Sequence, residues 1–329
     1  MKIGILGCGN WGSVFGIMQH HNGHVIKIWE YDRDRARTVN ETRNNEPFLI
    51  GHTIPNEIVI DWKIDTILDN VDIVVFAIPS QVLSDVIDTM QNMRALSDYY
   101  LSLVKGIDVN TLRRPSEIIN QLPQARGKIY VLSGPCIANE IIRGEPTAAV
   151  LVGSDPVGVQ ELQRQLTTNV FRIYQGSDII GVELGAAFKN IIALACGISD
   201  GLGFGSNAKG ALIARGIVEI QRLGVKMGAD AKTFWGLSGL GDLVTTSFSE
   251  ESRNHTLGRK IGEGKILERA RSEMVMIAEG VPTAEAVKKL ADQNHIDVPI
   301  CEVVCEILFH KKSPQEGIRD LMTRSLKHE

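Results

Sequence analysis

Apolar residues in the first half of the chain fall in short continuous runs, each closed by glycine, proline or a polar stretch. The clearest are Lys2 to Leu6, Val25 to Trp29, Ile73 to Ile78, Leu101 to Val104, Ile129 to Leu132, Ala148 to Val152 and Phe171 to Tyr174. Runs of this length without alternation predict strands buried on both faces. Val14 to His20, Gln81 to Met90 and Pro115 to Gln121 carry helical spacing between them. Such alternation predicts an α/β fold whose mainly parallel sheet is covered by helices on both sides.

After about Gln175 the strand signals stop. Long stretches rich in Ala, Leu, Ile and Gly take over, and Ile179 to Ser199, Ala208 to Met227, Thr283 to Gln293 and Val298 to Phe309 predict helices. The expectation is a dinucleotide-binding domain over residues 1–177 and an all-helical substrate domain over 178–329, with no linker or repeat between them.

A length of 329 residues agrees with two domains. With 43% hydrophobic and 22% charged residues the composition is that of a globular protein, and a net charge of -4 argues against a nucleic-acid binder. The five cysteines (Cys8, Cys136, Cys196, Cys301, Cys305) show no C-x-x-C spacing and no histidine at metal-ligand spacing. Free thiols in a reducing compartment are expected, and no metal site. Met1 leads straight into a strand, and no apolar run of ~18 residues is free of polar interruption. The expectation is therefore a cytoplasmic chain with no secretory signal and no integral membrane association.

Candidate chemistry begins at Gly7-Cys8-Gly9-Asn10-Trp11-Gly12, a G-x-G-x-x-G placed after the first strand and opening a helix. In a dinucleotide site the three glycines give a tight turn, close approach of a pyrophosphate, and close packing of helix on strand. The helix N-terminus adds unpaired N–H groups and partial positive charge. Glu30 ends the second strand, where a carboxylate accepts from both ribose hydroxyls and repels a 2′-phosphate. This predicts a doubly wound Rossmann-type sheet binding NAD. NADP stays open, because Arg33 and Arg35 lie just downstream.

Five further places carry polar groups without an obvious structural need. Lys189, with Asn190 beside it, and Glu183 stand in the otherwise apolar Ile179 to Ile198 stretch; a snorkelling surface lysine is the alternative to a catalytic one. Lys105, and Ser133-Gly134-Pro135, each follow a strand, at the edge where open α/β sheets bind ligands. Asp242 follows a flexible glycine run from Gly236 to Gly241. Ser252-Arg253-Asn254 offers a hydroxyl, a guanidinium and an amide, a set suited to a phosphate. For these segments a solvated loop is the alternative.

Taken together, these segments resemble NAD(P)-dependent glycerol-3-phosphate dehydrogenase of the bacterial type. The resemblance runs in register through Gly7-x-Gly9-x-Trp11-Gly12, Val104-Lys105-Gly106, Ser133-Gly134-Pro135 with Ala138 and Glu140, Phe188-Lys189-Asn190, Gly241-Asp242-Leu243, Ser252-Arg253-Asn254 and Glu279-Gly280. It implies interconversion of dihydroxyacetone phosphate and sn-glycerol 3-phosphate by hydride transfer, supplying phospholipid synthesis, in a homodimer. Lys189 would be the general acid and base, with Lys105 and Asp242 beside it. The phosphorylated triose would be held by Lys105, Gly134, Cys136, Lys189, Asn190, Asp242, Thr246, Ser252, Arg253 and Asn254. The dinucleotide would meet Gly7, Gly9, Asn10, Trp11, Gly12, Glu30, Tyr31, Lys105, Ala138, Arg253, Ile277 and Glu279.

The chain departs from the family pattern in four places. Cys136 stands where Ser or Thr is usual, Ile137 where Phe is usual, Ser247 where Cys is usual, and Glu30 where a small residue is favoured. Two other readings share part of the pattern. A ketopantoate reductase-like or β-hydroxyacid dehydrogenase-like enzyme would keep the glycines and a central lysine without the Ser252-Arg253-Asn254 cup. A non-catalytic NAD(H) sensor would have no use for Lys189.

Overall fold

The computed structural model describes residues 1–91, 93 and 97–326. Its first half is one eight-stranded sheet: β1 (Lys2–Leu6), β2 (Val25–Trp29), β3 (Val59–Asp61), β4 (Ile73–Phe76), β5 (Tyr99–Ser102), β6 (Ile129–Ser133), β7 (Thr147–Gly153) and β8 (Phe171–Gln175). The strand order is β3-β2-β1-β4-β5-β6-β7-β8, and every pairing is parallel except β6 with β7. The sheet is Rossmann-type and doubly wound. Neighbouring residues on one strand feed opposite cores: Ile73 and Val75 pack with Ile3, Ile5 and Ile28, while Val74 and Phe76 pack with Leu83, Ile87 and Tyr100. Burial on both faces explains why these strands read as unbroken apolar runs.

Strand order reverses between β1 and β4, which pair Leu6 with Phe76 at their carboxyl ends. An open α/β sheet presents its ligand crevice at that switch point. Two details differ from the sequence pattern. β3 is a three-residue edge strand with one buried residue, too short to leave a periodic signal. β5 lies two residues earlier than its apolar run, so Lys105 sits beyond the strand on the connection that follows.

The helical half is organised around Ile179–Gly201, a 23-residue helix buried almost all round. Asp178 starts it by accepting from the Gly181 amide at 2.9 Å, and the same carboxylate holds Asp230 N and Thr233 Oγ1. By length and composition this helix could cross a membrane, but 89% of its most apolar window is buried inside the protein. Helices Ser206–Lys226, Asp242–Phe248, Arg253–Gly262, Gly280–Asn294 and Pro299–Phe309 surround it. Against Arg253–Gly262 the backbones touch. A Cβ on Gly197 or Gly201 would lie 2.1 or 2.2 Å from the His255 or Arg259 carbonyl oxygen, and one on Gly258 2.2 Å from that of Leu194.

The Gly236–Gly241 stretch corrects the sequence expectation of a flexible glycine run. It forms a tight π-helical turn, Leu237–Gly241, that leads directly into Asp242–Phe248. A Cβ on Gly239 would stand 2.0 Å from the Phe234 carbonyl oxygen, and one on Gly185 2.9 Å from that of Ser238. These glycines serve close packing, not mobility. Ser252-Arg253-Asn254 is likewise the start of a helix and no solvated loop.

Candidate active site

The glycine motif occupies the turn from β1 into helix Asn10–His21. Gly7 has φ +121°, and a Cβ there would meet the Ala77 carbonyl oxygen at 2.4 Å. A Cβ on Gly12 would fall 2.0 Å from Gly7 O. Around Gly9 there is open space to 4 Å, and no side chain caps the helix that begins after it. Two glycines therefore close the turn, and the third leaves room for a ligand over bare N–H groups. The residues present fit a dinucleotide pyrophosphate.

Glu30 is buried at the end of β2, and desolvation raises its carboxyl above the usual range. It is already engaged, accepting from Arg35 Nη1 and, at 3.2 Å, from Asp32 N. Arg35 also donates to Asn45 Oδ1 and to Cys8 O, and lies 4.3 Å from the Phe48 ring centre. The crevice at the end of β2 thus holds a carboxylate–guanidinium pair. Sequence reasoning named Arg35 but had no means of finding Asn45 and Phe48, which reach it from a separate loop.

The other residues expected at the dinucleotide are placed unevenly. Asn10 donates to Phe48 O and Asn139 Oδ1, which pins the turn carrying buried Ala138 beside the glycine loop. Trp11 turns into the sheet core, 5.8 Å from Phe15 and 6.3 Å from Phe171 between ring centres. Tyr31 and Ile277 are 78% and 53% exposed, with room for a ligand to cover them. Glu279 accepts from Ser80 N at 3.0 Å and from Ser80 Oγ, clasping the helical half to the connection after β4. A Cβ on Gly106 would strike Ser80 Oγ at 2.4 Å, so this glycine makes room for the clasp.

The chemical centre lies where the connections after β5 and β6 meet the helical half. Asp242, the first residue of its helix, is buried and accepts from two ammonium groups. Lys105 Nζ donates to its Oδ2 at 2.6 Å, and Lys189 Nζ to its Oδ1 at 2.8 Å. Lys105 also donates to Gly134 O at 2.8 Å, and Lys189 to Thr246 Oγ1 at 2.6 Å. Gly134 holds φ +147°, with Ala148 O and Ala149 Cα 3.0 Å from where a Cβ would be, so its carbonyl is fixed toward Lys105.

Environment drives the two lysines apart. Burial lowers Lys189 to about 8, the nearby Lys105 charge pulling the same way and Asp242 only partly resisting. Burial also weighs on Lys105, but Asp242 outweighs it and holds that ammonium above the ordinary lysine range. Asp242 is penalised by its own burial, yet the two cations keep it below the usual carboxylate range. One lysine is set to exchange a proton near neutral pH, and the other is a fixed charge. The surface alternative for Lys189 is excluded by its 5% exposure.

Around this centre Ser252 caps helix Arg253–Gly262 by accepting from His255 N at 3.2 Å. The Arg253 residue is exposed at the first helical turn, with the Glu279 carboxylate near enough to attract its guanidinium and the helix N-terminus behind it. Asn254 spends its amide on Asn190 Oδ1 (2.9 Å) and on the Gly280 N–H (2.8 Å). Asn190 and Asn254 thus form a rung between three helices, a structural task beside any contact with substrate. Cys136 is pushed up to about 12 by burial and stays a neutral thiol. Ser247 is fully buried, facing away from solvent. Glu183, the other ion of the apolar helix, accepts from Arg114 Nη1, Ser116 Oγ and Ser116 N at 2.6, 2.6 and 2.7 Å. It joins the two halves and takes no part in the centre.

A glycine-turn crevice on a doubly wound sheet, with a buried lysine–aspartate–lysine group shared between the sheet edge and a helical unit, defines the dinucleotide-dependent dehydrogenase class. The chain belongs to the NAD-dependent glycerol-3-phosphate dehydrogenase family. The N-terminal family model matches residues 2–157 and the C-terminal model residues 178–319. The glycerol-3-phosphate dehydrogenase [NAD(P)+] of Thermoanaerobacter sp. is 41% identical over 100% of this chain and 99% of its own. The crystal structure of glycerol-3-phosphate dehydrogenase from Coxiella burnetii superposes with TM-score 0.94 at 31% identity, covering 98% of this chain and 99% of that one. A ketopantoate reductase from Ralstonia eutropha, at 13% identity and TM-score 0.62 over 97% of this chain and 100% of its own, shares the fold alone.

Proposed function

We propose that this chain interconverts dihydroxyacetone phosphate and sn-glycerol 3-phosphate, with NAD(H) as its first dinucleotide and NADP(H) as a second. The observation that carries the reading is Asp242 bridging Lys105 and Lys189 at the carboxyl edge of the sheet. A non-catalytic sensor has no need of a buried ammonium drawn down to about 8.

When bound, the dinucleotide supplies the hydride that the ketone carbon receives. The protein's own groups manage the charge that develops on the ketone oxygen. An ammonium has three N–H donors, and Lys189 spends two on Asp242 and Thr246. Its third is the proton delivered to the oxygen during reduction and recovered from the alcohol during oxidation. Asp242 fixes the direction of that donor and offsets its charge, while Lys105 adds a second positive charge that does not titrate in the same range. Arg253 and the N–H groups behind Ser252 take the phosphate. The glycine turn and the Ser80–Glu279 clasp hold the dinucleotide end.

The residue roles follow the sequence reading with two changes of emphasis: Trp11 shapes the glycine turn from within the core, and Asn190 and Asn254 position helices. We further propose that residues 1–177 and 178–329 act as separate domains, that the chain is a cytoplasmic homodimer, and that its product feeds phospholipid synthesis. Sedimentation equilibrium tests the dimer. The reaction is tested by mixing the protein with dihydroxyacetone phosphate and following loss of NADH, then NADPH, absorbance. Oxidation that depends on the ketone supports the reading; a protein that binds NADH but turns over nothing rejects it.

A further inference from the structure

Outside the lysine centre, the ionisable group that joins the helices carrying the expected site residues is Asp200. It stands in the last turn of helix Ile179–Gly201, the same helix that carries Lys189. Its Oδ2 accepts from His255 Nε2 at 2.7 Å and from Lys209 Nζ at 2.6 Å. His255 is buried in the first turn of Arg253–Gly262, two residues after Arg253, and its backbone N–H is the one that Ser252 caps. Lys209 comes from helix Ser206–Lys226, and its Nζ lies 4.7 Å from the ring centre of Phe248, the last residue of the helix that holds Asp242 and Thr246.

A single carboxylate oxygen therefore ties together the helices bearing Lys189 and Arg253 and, through Lys209, touches the one bearing Asp242. Backbone contacts at Gly197, Gly201 and Gly258 set the distance between the two helices, and Asn254 reaches back to Asn190. His255 adds a second side-chain bond from the same first turn to the central helix, further along that helix, so the two bonds together hold the turn's rotation. We infer that Asp200 is a positioning residue which, through His255 and Lys209, aims the Ser252–Arg253 turn at the substrate phosphate while the lysine centre stays in place. This inference rests on the proposed reaction. The His255–Asp200 bond also keeps both groups satisfied on burial: Lys209 and His255 draw the Asp200 carboxyl below its usual range against the cost of desolvation.

The test is a split between KM and kcat. In Asp200→Asn, KM for dihydroxyacetone phosphate should rise roughly tenfold, the scale of one lost hydrogen bond to a charged group. The kcat and the Kd for NADH should stay near wild type. His255→Leu should behave alike, and His255→Gln, which can still donate to Asp200, should recover most of the lost affinity. Calorimetric binding of sn-glycerol 3-phosphate to the NADH-loaded protein gives the same ranking without turnover, and it serves if one variant fails to fold. A wild-type KM in folded Asp200→Asn and His255→Leu, whatever their melting temperatures, overturns the inference. A wild-type protein that neither turns over the ketone nor binds the alcohol refutes the reaction, and the positioning role falls with it.

Discussion

At the end of β1 the cleft is made of backbone, whereas the meeting of the β5 connection with the helical half presents buried charge. Gly7, Gly9 and Gly12 work by what they lack, since a side chain on the first or third would collide with backbone within 2.4 Å. Lys189, Lys105 and Asp242 work by what they carry, and each is held by partners from distant segments. The two materials suit two tasks. A pyrophosphate is already charged, and a ready set of N–H groups binds it without any titrating residue. A ketone oxygen becomes charged only during reaction, so the group facing it must give up a proton, and burial beside a carboxylate tunes a lysine for that.

If the division holds, damage to each half should appear in a different constant. Lys189→Ala should cost the most: kcat falling ~10²–10⁴-fold with NADH affinity kept. Turnover within a fewfold of wild type would remove Lys189 from the chemistry. Next, Gly12→Ala should weaken NADH binding ~10–100-fold, because overpacking of this kind typically costs ~1–3 kcal/mol; titration of NADH fluorescence reads it. Arg253→Ala should raise KM for dihydroxyacetone phosphate by a similar ~10–100-fold, the range of hydrogen bonds to charged groups. An equal rise for a ketone lacking the phosphate would break the phosphate-cup assignment.

The pH profile sharpens the same contrast. Ketone reduction needs Lys189 protonated, so kcat/KM for reduction should be flat below about 8 and fall as pH rises through it. The oxidative direction needs the neutral amine and should rise through the same region. Asp242→Asn removes the attraction that holds the Lys189 pKa up, so the limb should move to lower pH. A limb that stays put or moves upward contradicts the bridge. The smallest effect belongs to Glu30→Gly. With its carboxylate gone, the Arg35 charge is no longer offset, although Asn45 and Cys8 still hold the side chain, and the NADPH-to-NADH ratio of kcat/KM should increase. An unchanged ratio takes Glu30 out of cofactor choice.

The same contrast explains what could be read in advance. The glycine turn is seven residues from the chain start and local, so strand, turn and helix stand in one short window. Lys189 announced itself as an ion in an apolar helix, but so did Glu183, and nothing in spacing distinguishes them. Their partners do: Glu183 meets Arg114 and Ser116 across the interface of the two halves, while Lys189 meets Asp242 and Thr246. The Gly236–Gly241 stretch misleads for a related reason. Glycine written as a loop and glycine written for close packing look the same until the Phe234 backbone arrives against Gly239.

By itself the sequence determined the doubly wound sheet, the position of the dinucleotide turn, the helical character of the second half and, through resemblance, the residues of the centre. Periodicity, glycine spacing and strand ends are properties of neighbours along the chain, and they survive without coordinates. Only the tertiary structure decided that Lys105 and Lys189 share one carboxylate and so acquire opposite pKa directions. It alone also decided that Glu30 is paired with Arg35, that Trp11 faces the core, and that Asp200 gathers His255 and Lys209. Those outcomes depend on burial and on distances between segments far apart along the chain, which local pattern does not encode.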